Sequence, residues 1–117
     1  MKKILVVDDD ISILEVVEII LTSNGFDVRT HTNGYHVEKV VNDYNPDLIL
    51  LDIKLPGKSG TEICRELKQL NSKTPIILFS AHGEKLGKEI ATSCSDNFIQ
   101  KPFDIKDLMD TIRLYLN

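Results

Sequence analysis

The chain has 117 residues, 42% hydrophobic and 27% charged, which is enough for one core and too little for two, so a single domain over 1–117 is expected. Its 18 acidic and 14 basic side chains give a formal net charge of -4, with the basic ones scattered, which excludes direct nucleic-acid binding. Met1-Lys2-Lys3 runs straight into a short apolar stretch and nothing approaches bilayer length, which excludes a signal peptide and a membrane span and predicts a cytoplasmic protein.

In chain order, Ile4–Val7 is a purely aliphatic run of the kind that suits a strand buried on both faces of a parallel sheet. It ends in Asp8-Asp9-Asp10. Asp10 is placed to cap a first helix, with Ser12 sharing that task; Glu15, Glu18 and Thr22 form its polar face and Asn24-Gly25 ends it. Asp27–Thr32, polar around Val28, reads as an edge strand. A second helix spans about Tyr35 to Tyr44, with Val37, Val40 and Val41 inward and Asn45-Pro46 as its stop. Leu48–Leu51 is the next buried strand, and Asp52 follows it directly.

Ser59-Gly60-Thr61-Glu62 forms a capping box for a third helix whose inner face carries Ile63, Leu67 and Leu70. Ile76–Phe79 is a fourth strand, ending in Ser80. A fourth helix over roughly Glu84 to Thr92 is the weakest, because Gly83 and Gly87 cost about 1 kcal/mol each relative to Ala. The short run Phe98-Ile99 leads into Lys101-Pro102. Asp104 then caps a last helix carrying Ile105, Leu108, Met109, Ile112, Tyr115 and Leu116 at helical spacing. Cys64 and Cys94 lack metal-ligand spacing and read as small apolar side chains.

The alternation βαβαβαβαβα implies a doubly wound α/β fold, a parallel five-stranded sheet with helices on both faces. In such a sheet the strand ends share one edge, and ligands bind where the strand order reverses. With the flavodoxin-like order 2-1-3-4-5, Asp8, Asp9 and Asp52 converge there, with Ser80 and Lys101 on neighbouring strands. Singly, each has an ordinary explanation as a cap, a turn residue or a solvated charge. Jointly they make chemical sense. Carboxylates crowded together raise one another's pKa unless a cation neutralises them, and Mg2+ fits an all-oxygen site. A carboxylate beside it can attack phosphorus, while Lys101 and the Ser80 hydroxyl meet the phosphoryl oxygens.

The stretches "ILVVDDD" at 4–10, "PDLILLDIKLPGKSG" at 46–60, "PIILFSAHG" at 75–83 and "FIQKPFD" at 98–104 resemble, in order and spacing, the response-regulator receiver domains of bacterial two-component signalling. The resemblance covers essentially the whole chain. It implies that Asp52 is the phosphoacceptor, and that Asp8, Asp9, Asp52 and the backbone carbonyl of Lys54 hold Mg2+, with Mn2+ able to substitute. It further implies that Ser80 and Lys101 assist catalysis, Ser80 and Phe98 form the switch, and Lys54 and His82 modulate phosphoryl lifetime. The Lys101-Pro102 bond is expected to be cis.

The implied donor is a sensor histidine kinase or histidine phosphotransfer protein, and the domain phosphorylates itself and slowly dephosphorylates. An output domain, a protein partner or a second copy would meet the fourth helix, last strand and fifth helix. Cys94-Ser95-Asp96 stands where the family often has Gly-Ala-Asp, and Phe98 where Tyr is frequent. Two other readings are a degenerate receiver acting only as a docking module, and a haloacid-dehalogenase-like phosphatase. The intact set Asp8, Asp9, Asp52, Ser80 and Lys101 opposes the first; Lys54 in place of the second motif carboxylate opposes the other.

Overall fold

The computed structural model describes residues 1–70, 73–81 and 94–116, with Ser80 and Ala81 described by their backbone. Five strands, β1 (Lys3–Val7), β2 (Asp27–His31), β3 (Leu48–Asp52), β4 (Ile76–Ala81) and β5 (Asn97–Lys101), form one sheet of order β2-β1-β3-β4-β5. All four pairings are parallel. The expected order holds, with the polar β2 at an edge.

Four helices are described: α1 (Ile11–Ser23), α2 (Val37–Tyr44), α3 (Gly60–Gln69) and α4 (Ile105–Arg113). The helix expected over 84–92 lies outside the described residues. Alternation along each strand sends Ile4, Val6, Leu48, Leu50, Ile77 and Phe79 to one face, against Leu14, Val17 and Leu21 of α1 and Leu108, Met109 and Ile112 of α4. Leu5, Val7, Ile49, Leu51, Ile76 and Leu78 point the other way, onto Val37 and Tyr44 of α2 and Ile63, Cys64 and Leu67 of α3. Burial on both faces is why these strands are unbroken apolar runs. Among the described residues no helix is long and apolar enough to cross a membrane.

Local signals set the boundaries. Asp10 accepts hydrogen bonds from the Ser12 and Ile13 N–H groups, and Gly25, at a φ of 89°, closes α1 by donating to the Thr22 carbonyl while Phe26 donates to Leu21. Ser59 caps α3 through Glu62 N–H, and Asp104 caps α4 through Asp107 N–H.

Three expectations need correction. The second helix starts at Val37, not near Tyr35, because His36 takes the left-handed conformation (φ 60°) and breaks the helical path. Leu70 is 61% exposed: α3 ends at Gln69, so its side chain leaves the buried stripe. Ile105, in the first turn of α4, is likewise exposed.

The turn before β5 is firmly tied. Asp96 Oδ2 accepts from Ile76 N–H at 2.8 Å and pairs with Lys68 at 2.9 Å, while its carbonyl accepts the Tyr115 hydroxyl at 2.9 Å.

Candidate functional site

Strand register assembles the site. Val7 of β1 is level with Leu51 of β3, so the chain leaves the two strands side by side as Asp8 and Asp52. Asp52 is level with Phe79 on β4, and Ala81 with Lys101 on β5. Carboxylate oxygens of Asp8, Asp9 and Asp52 fall within 4.8 Å of one another. Asp8 is fully buried, Asp52 is 7% exposed, and Asp9 faces solvent.

The three consecutive aspartates have three different surroundings. Asp10 turns away to cap α1. Asp8 Oδ1 accepts the Asp10 N–H at 2.9 Å and its Oδ2 accepts from Lys101 Nζ at 2.6 Å, while its own N–H donates to the His31 carbonyl at 3.0 Å. Asp9 projects outward with its carboxylate still in the cluster. Lys101 Nζ lies 3.6 Å from Asp52 Oδ2, and only 13% of its side chain is exposed. Its ammonium also sits 5.6 Å from the centre of the Phe79 ring, which stacks on Phe103.

Burial first, and then the charge of Asp8, push the Asp52 carboxyl up to about 6; Lys101 opposes this and Asp9 adds to it. Among the described residues, three carboxylates face one ammonium, which leaves the cluster short of positive charge. Among the described residues the donors are all hard oxygens, without His or Cys, so the set fits a hard divalent cation such as Mg2+ and suits zinc or copper poorly.

Other predicted residues fall as follows. Lys54 is exposed, two residues past Asp52 on the loop into α3. Ser80 lies on β4 level with Gln100, at the same sheet edge, and its side chain is outside the description, as is all of His82. Phe98 on β5 is half-buried against the α2 and α3 face of the core. The Lys101-Pro102 bond is cis, as the resemblance implied. Sequence reasoning missed the direct Lys101–Asp8 pair, for which no local signal exists, and gave residues 31–36 no part in the site, because Asn33-Gly34 signals only a turn. It also missed an apolar groove of about 440 Å³ lined by Ser12, Ile13, Val16, Val17, Lys101, Pro102 and Phe103.

With this geometry in place, comparison with known proteins decides the family: the profile described as "Response regulator receiver domain" matches residues 4–113. The chain belongs to that family. This receiver domain is 37% identical over 116 residues to the DNA-binding response regulator MtrA of Mycobacterium leprae (strain TN), an alignment covering 98% of the chain and 51% of MtrA. It therefore spans about half the length of the relatives it matches. In structure it is similar to the BeF3-activated N-terminal receiver domain of Klebsiella pneumoniae RstA, with a TM-score of 0.93, 30% identity and 99% of each chain covered. It is also similar to the Vibrio cholerae chemotaxis protein CheY4, with a TM-score of 0.90, 26% identity and 99% of each chain covered. The receiver domain is thus a module of two-component signalling.

Proposed function

We propose that Asp52 accepts a phosphoryl group from a phosphohistidine on a sensor histidine kinase or histidine phosphotransfer protein, and that residues 1–117 act as one receiver unit in the cytoplasm. One observation carries this reading: Asp52 ends a buried strand with the oxygens of Asp8 and Asp9 within 4.8 Å and Lys101 Nζ at 3.6 Å. A nucleophile needs a lone pair free of close partners, and the carboxylate pushed up to about 6 is the one whose ammonium stands off.

Asp8, Asp9, Asp52 and the Lys54 carbonyl would hold Mg2+, or Mn2+ in its place. When bound, the ion neutralises the carboxylates and the transferring oxygens. An Asp52 oxygen attacks phosphorus in line while the histidine nitrogen leaves with the electron pair of the N–P bond. Lys101 and the Ser80 hydroxyl meet the phosphoryl oxygens. The same groups later admit water to the acyl phosphate, and Lys54 and His82 flank that path and set the lifetime. Acetyl phosphate would serve as a small donor. The apolar groove beside Lys101, lined in part by the exposed Val16, offers a surface for the donor protein.

Phosphorylation adds about -1.5 to -2 charges at Asp52. Ser80 would follow that charge, and Phe98 would turn inward behind it, without a hydroxyl to desolvate. The altered surface would lie over residues 80–113, facing an output domain, a separate partner or a second copy. MtrA is named DNA-binding and is about twice as long. For this chain, with its net charge of -4, DNA contact is assigned to an output partner and not to the receiver surface.

Intact-protein mass spectrometry after acetyl phosphate and Mg2+ tests the reading. One adduct on Asp52 is expected. Turnover of small phosphate esters would instead indicate the phosphatase, and no reaction the docking module. Beryllofluoride should shift NMR signals across residues 80–113, less so in Ser80→Ala; shifts confined to the Asp52 pocket would refute the switch.

A further inference from the structure

The Lys54 carbonyl can serve as a metal ligand only if the loop between β3 and α3, residues 53–59, holds its place. That loop is pinned at both of its ends and in its middle. Gly60 N–H donates to the Ile53 carbonyl at 2.7 Å, and a Cβ on Gly60 would collide with the Asp52 carbonyl. Gly34 N–H donates to the Pro56 carbonyl at 2.8 Å, and a Cβ on Gly34 would reach 2.7 Å from the Lys58 nitrogen. The Tyr35 ring lies on Gly57 so closely that a Cβ there would come within 2.7 Å of Cζ.

Gly34 and Tyr35 belong to the β2–α2 loop, and that loop is tied in turn to the acidic site. His31, the last residue of β2, accepts the Asp8 N–H through its carbonyl at 3.0 Å. Its imidazole Nε2 lies 2.7 Å from the Tyr35 carbonyl. A carbonyl only accepts, so Nε2 carries the hydrogen and donates. On the other side, Tyr35 N–H donates to Asn33 Oδ1 at 2.8 Å. Tyr35 is 55% exposed, yet side chains hold its backbone on both sides and its ring covers a glycine.

We propose that His31 and Tyr35 are positioning residues for the phosphoacceptor loop: His31 couples the backbone of Asp8 to that of Tyr35, and Tyr35 clamps Gly57. Ligands from β1 and from the 53–59 loop are thereby held at one fixed separation. The proposal rests on the Mg2+ reading of Asp8, Asp9, Asp52 and Lys54. Mg2+ demands near-ideal octahedral geometry at about 2.0–2.1 Å, so a loop that drifts presents its carbonyl poorly and affinity falls. Groups that orient metal ligands from behind typically contribute about 10–100-fold in affinity.

The test measures the Mg2+ dissociation constant by calorimetry, the Mg2+ dependence of phosphorylation by acetyl phosphate, and thermal unfolding. The proteins are the parent, Tyr35→Ala, His31→Ala and the conservative variants Tyr35→Phe and His31→Gln. Phe keeps the ring, and Gln keeps an N–H donor. The alanine variants should bind Mg2+ about 10-fold more weakly while phosphorylating within about twofold of the parent rate at saturating Mg2+. The conservative variants should stay near the parent in both. Alanine variants that melt earlier but bind Mg2+ like the parent would overturn the proposal alone. A parent that binds no Mg2+ would overturn the site reading and the proposal with it.

Discussion

Asp8 and Asp52 leave adjacent strands at the same sheet edge, both buried, and they differ in what their oxygens meet. Asp8 has an ammonium at 2.6 Å on one oxygen and a backbone N–H at 2.9 Å on the other. Asp52 has the same ammonium at 3.6 Å, and burial together with the charge of Asp8 pushes its carboxyl up to about 6. One lysine divided unequally between two buried carboxylates leaves one anion compensated and the other short of positive charge. The carboxylate left short is the one to which the proposed phosphoryl transfer is assigned.

The hardest way to break this comparison is chemical. Asp52→Asn should abolish the phospho-adduct formed with acetyl phosphate and Mg2+, since an amide is not a competent nucleophile, while Asp8→Asn should slow the reaction and weaken Mg2+ binding. Mass spectra showing equal adducts on the parent and Asp52→Asn would remove Asp52 from its role.

A second test withdraws the divided lysine. Lys101→Met leaves Asp8 buried without its ammonium and should lower the unfolding free energy in chelator by about 3–5 kcal/mol, read by urea titration. Adding Asp8→Asn to that variant should recover much of the loss, because the uncompensated charge is gone. A double variant as unstable as Lys101→Met would mean that Lys101 does not compensate Asp8.

A third test uses pH. The Asp52 carboxyl rises from 3.8 when free to about 6 in the folded chain, so the folded state favours its protonated form. The resulting stability is fully present below 3.8 and is lost as pH rises through about 6. With chelator present, the parent should lose about 1–2 kcal/mol relative to Asp52→Asn between about pH 4 and pH 7, a figure reduced for solvent screening at the open side of the site. Mg2+ should remove the difference. Parallel pH profiles for the two proteins would show that Asp52 is not the uncompensated group.

The smallest effect separates Asp10 from its neighbours. Asp10→Ala should cost about 1 kcal/mol through loss of the α1 cap and leave the Mg2+ dissociation constant unchanged. A large change in Mg2+ binding would put Asp10 inside the site.

Much of this was legible in the chain. Leu48–Leu51 and Ile76–Phe79 had to be strands buried on both faces, because an unbroken apolar run leaves no side for water. Capping residues at Asp10, Ser59 and Asp104 named three helix starts through their side-chain oxygens. The acidic residues were visible as a set because each follows a buried strand. Leu70 and Ile105 were misjudged because periodicity assumes a helix that continues, and one lies just past an end and the other in a first turn.

The start of α2 was misjudged for a different reason. Tyr35 has its backbone held by His31 and Asn33 and its ring pressed on Gly57, and the last of these contacts lies far along the sequence. Local propensity has no access to it. The sequence by itself determined the alternation of elements, the buried strands and the identity of the groups brought to one edge, because these follow from period, burial and local capping. Tertiary structure alone decided which carboxylate keeps the lysine: Asp8 and Lys101 stand 93 residues apart, and only strand register closes that distance to 2.6 Å.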